Sequence, residues 1–338
     1  MKVRISLIFI LIVLFLSACN NSDTADNNSK ATKKKIIMKI AQNSPIEHPY
    51  QAGLEKFKEV VEKETNGDVQ VHIFPNAQLG NEEQEIMGIK FGLLDATIVS
   101  TGSLASFIPK VELFNLPYLF RDEEHFYEVL DGPIGQWMAR IIEKRINCIF
   151  LGYCSFGIRN AWNKKRPIRV PDDFRGMKIR VTNSPIMLAT FNAFGAQATT
   201  MDWNELYSAL QQGVLDGAEC DMVDLLMERF YEVTKYVSLT NHLIGVAAFM
   251  FSQKKFDKLP LYVQAAVLKG GREGAIAARK AEDELTIKSL QELKKKGLKF
   301  FPVDKSLFRA KARSVYEKYA DKVGGMELIE QIIGKIGK

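Results

Sequence analysis

Hydrophobic and polar positions along the chain keep switching between two periods, and the switch points mark its elements. Ile36–Ala41 is an apolar run of strand length. Past Pro49, a suitable first helical residue, Leu54, Phe57, Val60 and Val61 form an apolar stripe, and Thr65-Asn66-Gly67 ends the helix. Val69, Val71 and Ile73 alternate with polar partners, which predicts a half-buried strand. Asn81-Glu82-Glu83 opens a helix running to Gly92, and 94–99 reads as another buried strand. Strand–helix–strand alternation of this kind is the signature of parallel βαβ units.

A similar unit recurs further on. Residues 146–153 read as a strand, Pro171-Asp172-Asp173-Phe174 as a helical turn closed by Gly176, and 177–181 as a second strand. Asp202-Trp203-Asn204-Glu205 has the form of a capping box. It opens a helix with Leu206 and Leu210 inward, ending at Gly213, and Asp216-Gly217 is a turn signal. The last third changes character, because 260–296 carries a long helical pattern with no proline after Pro260. At about 1.5 Å per residue, one helix there would span about 55 Å, more than one domain's diameter. Either a single helix crosses two domains, or two helices meet near Gly270-Gly271.

The N-terminus has a different pattern. Lys2 and Arg4 precede an apolar run over 5–16 broken only by Ser6, and Leu16-Ser17-Ala18-Cys19 follows. That run is too short for the roughly 20 residues a spanning helix needs, and its flanks are those of a secretory signal peptide over 1–18. Cysteine directly after Leu-Ser-Ala resembles the lipobox of bacterial lipoproteins, which implies a lipid on Cys19. Residues 20–35 hold no aromatic or large aliphatic side chain, so 19–35 is a flexible tether.

Composition narrows the function. Loss of the leader removes Lys2 and Arg4, so the formal charge falls from +6 to +4. The excess is spread out with no basic block, which gives no support to nucleic-acid binding. His48, His72, His125 and His242 are scattered, and none stands at ligand spacing from Cys148, Cys154 or Cys220, so no metal or cofactor is expected. Cys148 and Cys154 read as buried small hydrophobes. The acidic pairs Asp172-Asp173, Glu82-Glu83 and Glu123-Glu124 each sit at a helix start, where they complement the macrodipole, and no catalytic motif accompanies them. The 338 residues less the leader over 1–18 leave 320, which fits two domains better than one.

Five ordered segments carry a resemblance. They are FPNAQLGNEEQEIMGIKFGLLDATIVSTGSL from Phe74, FNLPYLFRDEEHFYEVLDGPIG from Phe114, RPIRVPDDFRGMKIRV from Arg166, MDWNELYSALQQGVLDGAE from Met201 and RFYEVTKYVSLTNH from Arg229. Over about 37–330 the chain resembles the solute-binding subunits of tripartite ATP-independent periplasmic (TRAP) transporters. The resemblance implies an α/β, two-lobed periplasmic-binding-protein fold with a central cleft, crossing strands and a long C-terminal helix bracing both lobes. Lobe 1 would comprise 36–156 with 246–285, and lobe 2 would comprise 157–245 with 286–338.

The resemblance also implies a role. A small organic acid, either a C4-dicarboxylate or a sugar acid, is captured in the closing cleft by Arg180, in the KIRV strand. Arg159, Trp203, Asn183 and Gln42 fall on further ligand-binding positions, and Cys220 and Asp221 stand where relatives carry an asparagine and a proline. Ser100 stands where sialic-acid binders carry a glutamate, which argues against that ligand. A monomer outside the cytoplasmic membrane, in the periplasm where an outer membrane exists, would deliver the acid to multi-span membrane subunits. The alternatives are a solute-binding lipoprotein of an ATP-driven importer and a secreted hydrolase. Physics supports the arginines independently, since a carboxylate taken into a closed cleft needs a partner and the guanidinium fork offers two parallel charge-assisted bonds.

Overall fold

A computed structural model of the chain describes residues 35–334. The leader, Cys19 and nearly all of the tether lie outside the described residues. Nine strands form one sheet: β1 (Ile36–Ala41), β2 (Val69–Phe74), β3 (Ala96–Ser100), β4 (Cys148–Asn163), β5 (Lys178–Val181), β6 (Gln197–Thr200), β7 (Gly217–Cys220), β8 (Tyr236–Ser252) and β9 (Lys299–Pro302). The helices that matter below are α1 (Pro49–Glu64), α2 (Glu82–Phe91), α3 (Thr101–Leu104), α4 (Glu123–Asp131), α5 (Pro133–Ile146), α6 (Pro185–Ala193), α7 (Leu206–Gln211) and α8 (Met222–Met227). They continue with α9 (Gln253–Phe256), α10 (Leu261–Lys295), α11 (Lys305–Val323) and α12 (Met326–Gly334).

The strand order is β2-β1-β3-β8-β4-β7-β5-β6, with β9 on the free flank of β8. Two parallel sets, β2-β1-β3 and β7-β5-β6, are joined by the antiparallel pair β4–β8. These two strands, of 16 and 17 residues, serve both halves. The Ala247–Phe251 end of β8 pairs with β3, and the Asn160–Asn163 end of β4 pairs with β7. Between those ends the β4–β8 register shifts at Ser155/Ile158, where Gly157 adopts φ +75°. A bulge here breaks the ladder and bends the strand between the halves.

The local signals form as the pattern predicts. Pro49 starts α1, which buries Leu54, Phe57 and Val61, and Asn66 and Gly67 end it at positive φ. Asn81 caps α2 in a capping box with Gln84, and Gly92 closes it in the left-handed region. Two readings are corrected. The strand read over 146–153 runs on to Asn163, because the apolar residues past Tyr153 continue the crossing. The capping box at Asp202 does not form. Its carboxylate makes no cap bond, and a 3-10 turn over Trp203–Glu205 precedes α7.

Helix α10 is one unbroken helix of 35 residues. Its glycines are packing contacts rather than a break. A Cβ on Gly274 would lie 2.7 Å from the Gly53 carbonyl oxygen, and one on Gly271 would lie 2.7 Å from Leu151. Val263, Val267 and Ala275 join the core beneath β1–β3, while Leu293 joins the core of α7, α8 and β7. The helix therefore braces both halves. Of the stretch 286–338 grouped with lobe 2 on sequence grounds, the described residues to 334 pack against both halves. Phe308 of α11 packs with Ile179 and Phe191, but Val315 and Tyr319 further along it, with Ile329 and Ile332 of α12, pack with Phe126 and Met138. Cys148, Cys154 and Cys220 are free thiols, all buried. No helix among the described residues is long and apolar enough to cross a membrane.

Candidate ligand-binding site

Between the two halves lies a cleft with about 870 Å³ of empty space, its open mouth included. One wall comes from the turns after β1 and β3 and the start of α2, and presents His48, Asn81, Glu82, Glu83, Ser100 and Ser103. The other comes from the ends of β4, β5 and β6 and presents Arg159, Arg180, Asn183, Asp202 and Trp203. The strand ends of open α/β sheets are where such folds place ligands.

Strand parity aims the two arginines. In β5, Ile179 and Val181 enter the apolar core, so Arg180 between them faces the cleft. Its Nε and Nη2 donate to the Met201 carbonyl at 2.9 and 2.7 Å, and its guanidinium lies 5.3 Å from the Trp203 ring. Among the described residues no carboxylate lies within 4.0 Å of it. Burial draws its pKa down to about 10, so it remains charged at neutral pH.

Arg159 is held differently. Its Nε donates to Glu219 Oε2 at 2.5 Å, and Nη2 donates to Oε1 at 2.9 Å and to the Glu219 carbonyl at 2.8 Å. Asp221 and Asp224 each stand 4.0 Å from Nη1. Burial alone would lower this guanidinium, but the Glu219 charge and its hydrogen bonds outweigh burial and push it up. Burial alone would likewise raise the Glu219 carboxyl, but the Arg159 charge and neighbouring His242 override it and hold it down at about 2.

The opposite wall offers acceptors. Glu82 Oε1 accepts from the Ser100 amide at 2.8 Å, and Oε2 accepts from the Ser100 hydroxyl at 2.6 Å and from that of Ser103. Burial pulls His48 down to about 4, so it is neutral at physiological pH. Its Nδ1 accepts from the Tyr50 amide, which leaves the proton on Nε2, 3.3 Å from Asp224 Oδ1. Burial pushes Asp224 up to about 6.

Four of the seven residues singled out from sequence line the cleft: Arg180, Arg159, Trp203 and Asn183. Asn183 spends its amide on Glu83, and Trp203 Nε1 donates to Glu228 at 3.0 Å. The other three face elsewhere. Gln42 is fully buried and donates to Gln51 on α1, where it braces the wall from behind. Cys220 points into the core and accepts from Trp162 Nε1 at 3.1 Å. Asp221 caps α8, with Oδ1 accepting from the Val223 and Asp224 amides. As site residues, sequence reading passed over the polar side chains of the facing wall, such as Asn81 and Glu82, and also Glu219, which pairs with Arg159. Strand parity in β7 was the available signal, since Ala218 and Cys220 fill the core and Glu219 must face the other way.

Comparison with known proteins fits this geometry. The family model described as bacterial extracellular solute-binding protein, family 7 (DctP), matches residues 40–322. A solute-binding protein of Verminephrobacter eiseniae (strain EF01-2) is 34% identical over 303 residues, 89% of this chain and 88% of its own length. A TRAP periplasmic solute-binding protein from Bordetella bronchispeptica, whose crystal structure carries density assigned to pantoate, is 34% identical with a TM-score of 0.85, over 88% of this chain and 98% of that one. Another from Citrobacter koseri, with bound D-glucuronate, is 32% identical with a TM-score of 0.83, over the same shares. A pair of α/β lobes around an arginine-bearing cleft, matched over most of its length, places this chain in the DctP family of TRAP solute-binding proteins, whose members are extracytoplasmic.

Proposed function

We propose that this chain captures a hydroxylated organic acid through Arg180 and presents it, enclosed, to the membrane subunits of a TRAP transporter. One observation carries this reading: Arg180 is a buried, charged arginine on the cleft wall with no carboxylate partner among the described residues. An unpaired buried charge costs several kcal/mol, and a ligand carboxylate removes that cost with parallel charge-assisted bonds. Carboxylate capture then biases the cleft toward closure by the difference in affinity between its open and closed forms. Hinge motion is assigned to the β4 bulge at Gly157 and the facing stretch of β8.

The rest of the lining narrows the acid. Glu82, Glu83, Asp202 and Asp224 are carboxylates, and Arg159 is already neutralised by Glu219. A second ligand carboxylate would meet acceptors and like charge, whereas hydroxyls would find partners. A sugar acid with one carboxylate therefore fits better than a C4-dicarboxylate. D-glucuronate, bound by one relative above, and pantoate, assigned to density in the other, each have one carboxylate and at least two hydroxyls. The work is binding and release without bond chemistry, since the buried carboxylate Glu219 is occupied by Arg159 and the half-buried Glu82 by serine donors. A lipid on Cys19, with the tether over 19–35, would keep a monomer within reach of its transporter outside the cell membrane. Glu219 and the latch side chains described below would act on the ligand only indirectly.

Calorimetric titration of the full chain and of Arg180→Met with D-glucuronate and succinate tests the reading. Wild-type protein should prefer D-glucuronate, and R180M should lose at least about 100-fold in affinity while keeping its circular dichroism spectrum. Near wild-type affinity in R180M overturns the arginine assignment, and tighter binding of succinate overturns the ligand class.

A further inference from the structure

Asp202 sits between the two residues that hold Arg180. Met201 supplies the carbonyl that accepts from Nε and Nη2, and Trp203 supplies the ring beside the guanidinium. The Asp202 carboxylate itself reaches across the cleft, where its Oδ2 accepts from Asn81 Nδ2 at 2.9 Å. Asn81 belongs to the other half, as the cap of α2. Two more contacts close the same lip. Asn183 Nδ2 donates to Glu83 Oε1 at 2.8 Å. Gly102, on α3, lies so close to the end of β5 that a Cβ there would stand 2.8 Å from both Cγ2 and Oγ1 of Thr182.

Each of these pairs joins residues about 80 to 120 positions apart, one from each wall of the cleft. An open cleft would separate all three. Both hydrogen bonds are charge-assisted, pairing an amide donor with a carboxylate, and both sit at the rim, where water competes with them. Their effect is therefore moderate in size, and its placement matters more. The Asn81 amide grips the middle residue of the 201–203 turn whose flanking groups orient Arg180.

We infer that Asn81–Asp202 and Asn183–Glu83 form a closure latch, and that the Asn81–Asp202 bond also positions Arg180. Shutting the lips seats the 201–203 turn against the guanidinium, and a carboxylate on Arg180 in turn favours the shut form. The two events reinforce each other. Asn81, Glu83, Asn183 and Asp202 are positioning residues that set how long the ligand stays. They do not choose which acid is held, and Asn183 belongs to the latch rather than to the ligand. This rests on the reading of Arg180 as the carboxylate-binding group.

Stopped-flow fluorescence of the full chain with D-glucuronate, and with pantoate as a second acid, tests the latch. In Asn81→Ala and Asn183→Ala the dissociation rate should rise about five- to ten-fold, the loss of one charge-assisted bond. Association should stay within about two-fold, because most affinity changes within one site appear in release. The ratio of the two acids' affinities should not move. Gly102→Ala should weaken both acids alike by propping the lips, and Thr182→Ala in that background should restore affinity by vacating the space. An unchanged release rate in N81A, a shifted ratio of the two acids in N183A, or no recovery in the double variant overturns the latch. Lost binding in R180M with unchanged release in N81A removes the latch and leaves the carboxylate reading standing. Intact binding in R180M with faster release in N81A does the reverse.

Discussion

Arg159 and Arg180 line the same cleft at similar depth, 4% and 3% exposed, yet the protein treats their charges in opposite ways. Arg159 is matched by a bidentate Glu219 and pushed up in pKa, while Arg180 is given only a backbone carbonyl and a ring and is drawn down to about 10. The first charge is settled within the fold and belongs to its stability. The second has no such match among the described residues, and on the proposed reading a ligand carboxylate supplies it. Residue type and burial are the same in both cases, so the presence or absence of an internal carboxylate is what separates the two arginines, and the proposed function rests on that difference.

Truncating each arginine should break the comparison along that line, and this is the largest effect expected. Arg159→Met leaves Glu219 buried with only His242 beside it, so unfolding in urea should show a loss of about 3–5 kcal/mol. Arg180→Met removes an uncompensated buried cation, so its stability should hold or rise even as acid binding is lost. If R159M proved as stable as wild type, the pairing would not be structural. If R180M were the variant that unfolded, the two roles would be reversed.

pH should separate them next. Glu219 has a folded pKa of about 2 against 4.5, so its contribution is fully present above about pH 4.5 and is lost as pH falls toward 2. A shift of that size corresponds to about 3 kcal/mol. Stability measured between pH 5 and pH 3 should therefore fall in wild type, and that part of the fall should vanish in Glu219→Gln and in R159M. Arg180 acts at the other end. Ligand affinity needs its proton, so it should be flat through neutral pH and fall as pH rises past about 10. Affinity that declined already between pH 7 and pH 8 would point to a group other than Arg180.

How much of this was legible in the sequence follows the same division between local and non-local causes. The cap at Asn81, the turn at Asn66-Gly67 and the stripe of α1 are local, and they form where the residues place them. Arg180 stood out in the sequence through the resemblance of its KIRV strand, and its place on the cleft wall follows from Ile179 and Val181 filling the core on the other face. β8 was not read from its residues, because a run such as Val246–Phe251 is buried on both faces and its periodicity does not distinguish strand from helix. Glu219 carries no local mark, since the resemblance points to its neighbours Cys220 and Asp221 instead. In a strand a shift of one residue exchanges the cleft face for the core face. The Asp202 cap failed for a related reason: an oxygen suited to a local amide is used by Asn81, more than a hundred residues away. Partners supplied by distant segments leave no mark in a local pattern.

The smallest expected effect tests a further feature the two arginines share. Each lies over an aromatic ring, Arg159 at 5.0 Å from Phe156 and Arg180 at 5.3 Å from Trp203. A cation–π contact is worth about 0.5–2 kcal/mol, more when desolvated. For Arg180 the ring is one of few groups fixing the guanidinium, so Trp203→Leu should weaken D-glucuronate binding about three- to ten-fold. Trp203→Phe keeps a ring and gives up only the bond to Glu228, so it should cost less. Phe156→Leu should cost less again, because Glu219 already fixes Arg159 through three hydrogen bonds. Titration of the three variants gives the order. If F156L weakened binding more than W203L, ligand orientation would depend on Arg159, and the division between a structural and a binding arginine would have to be redrawn.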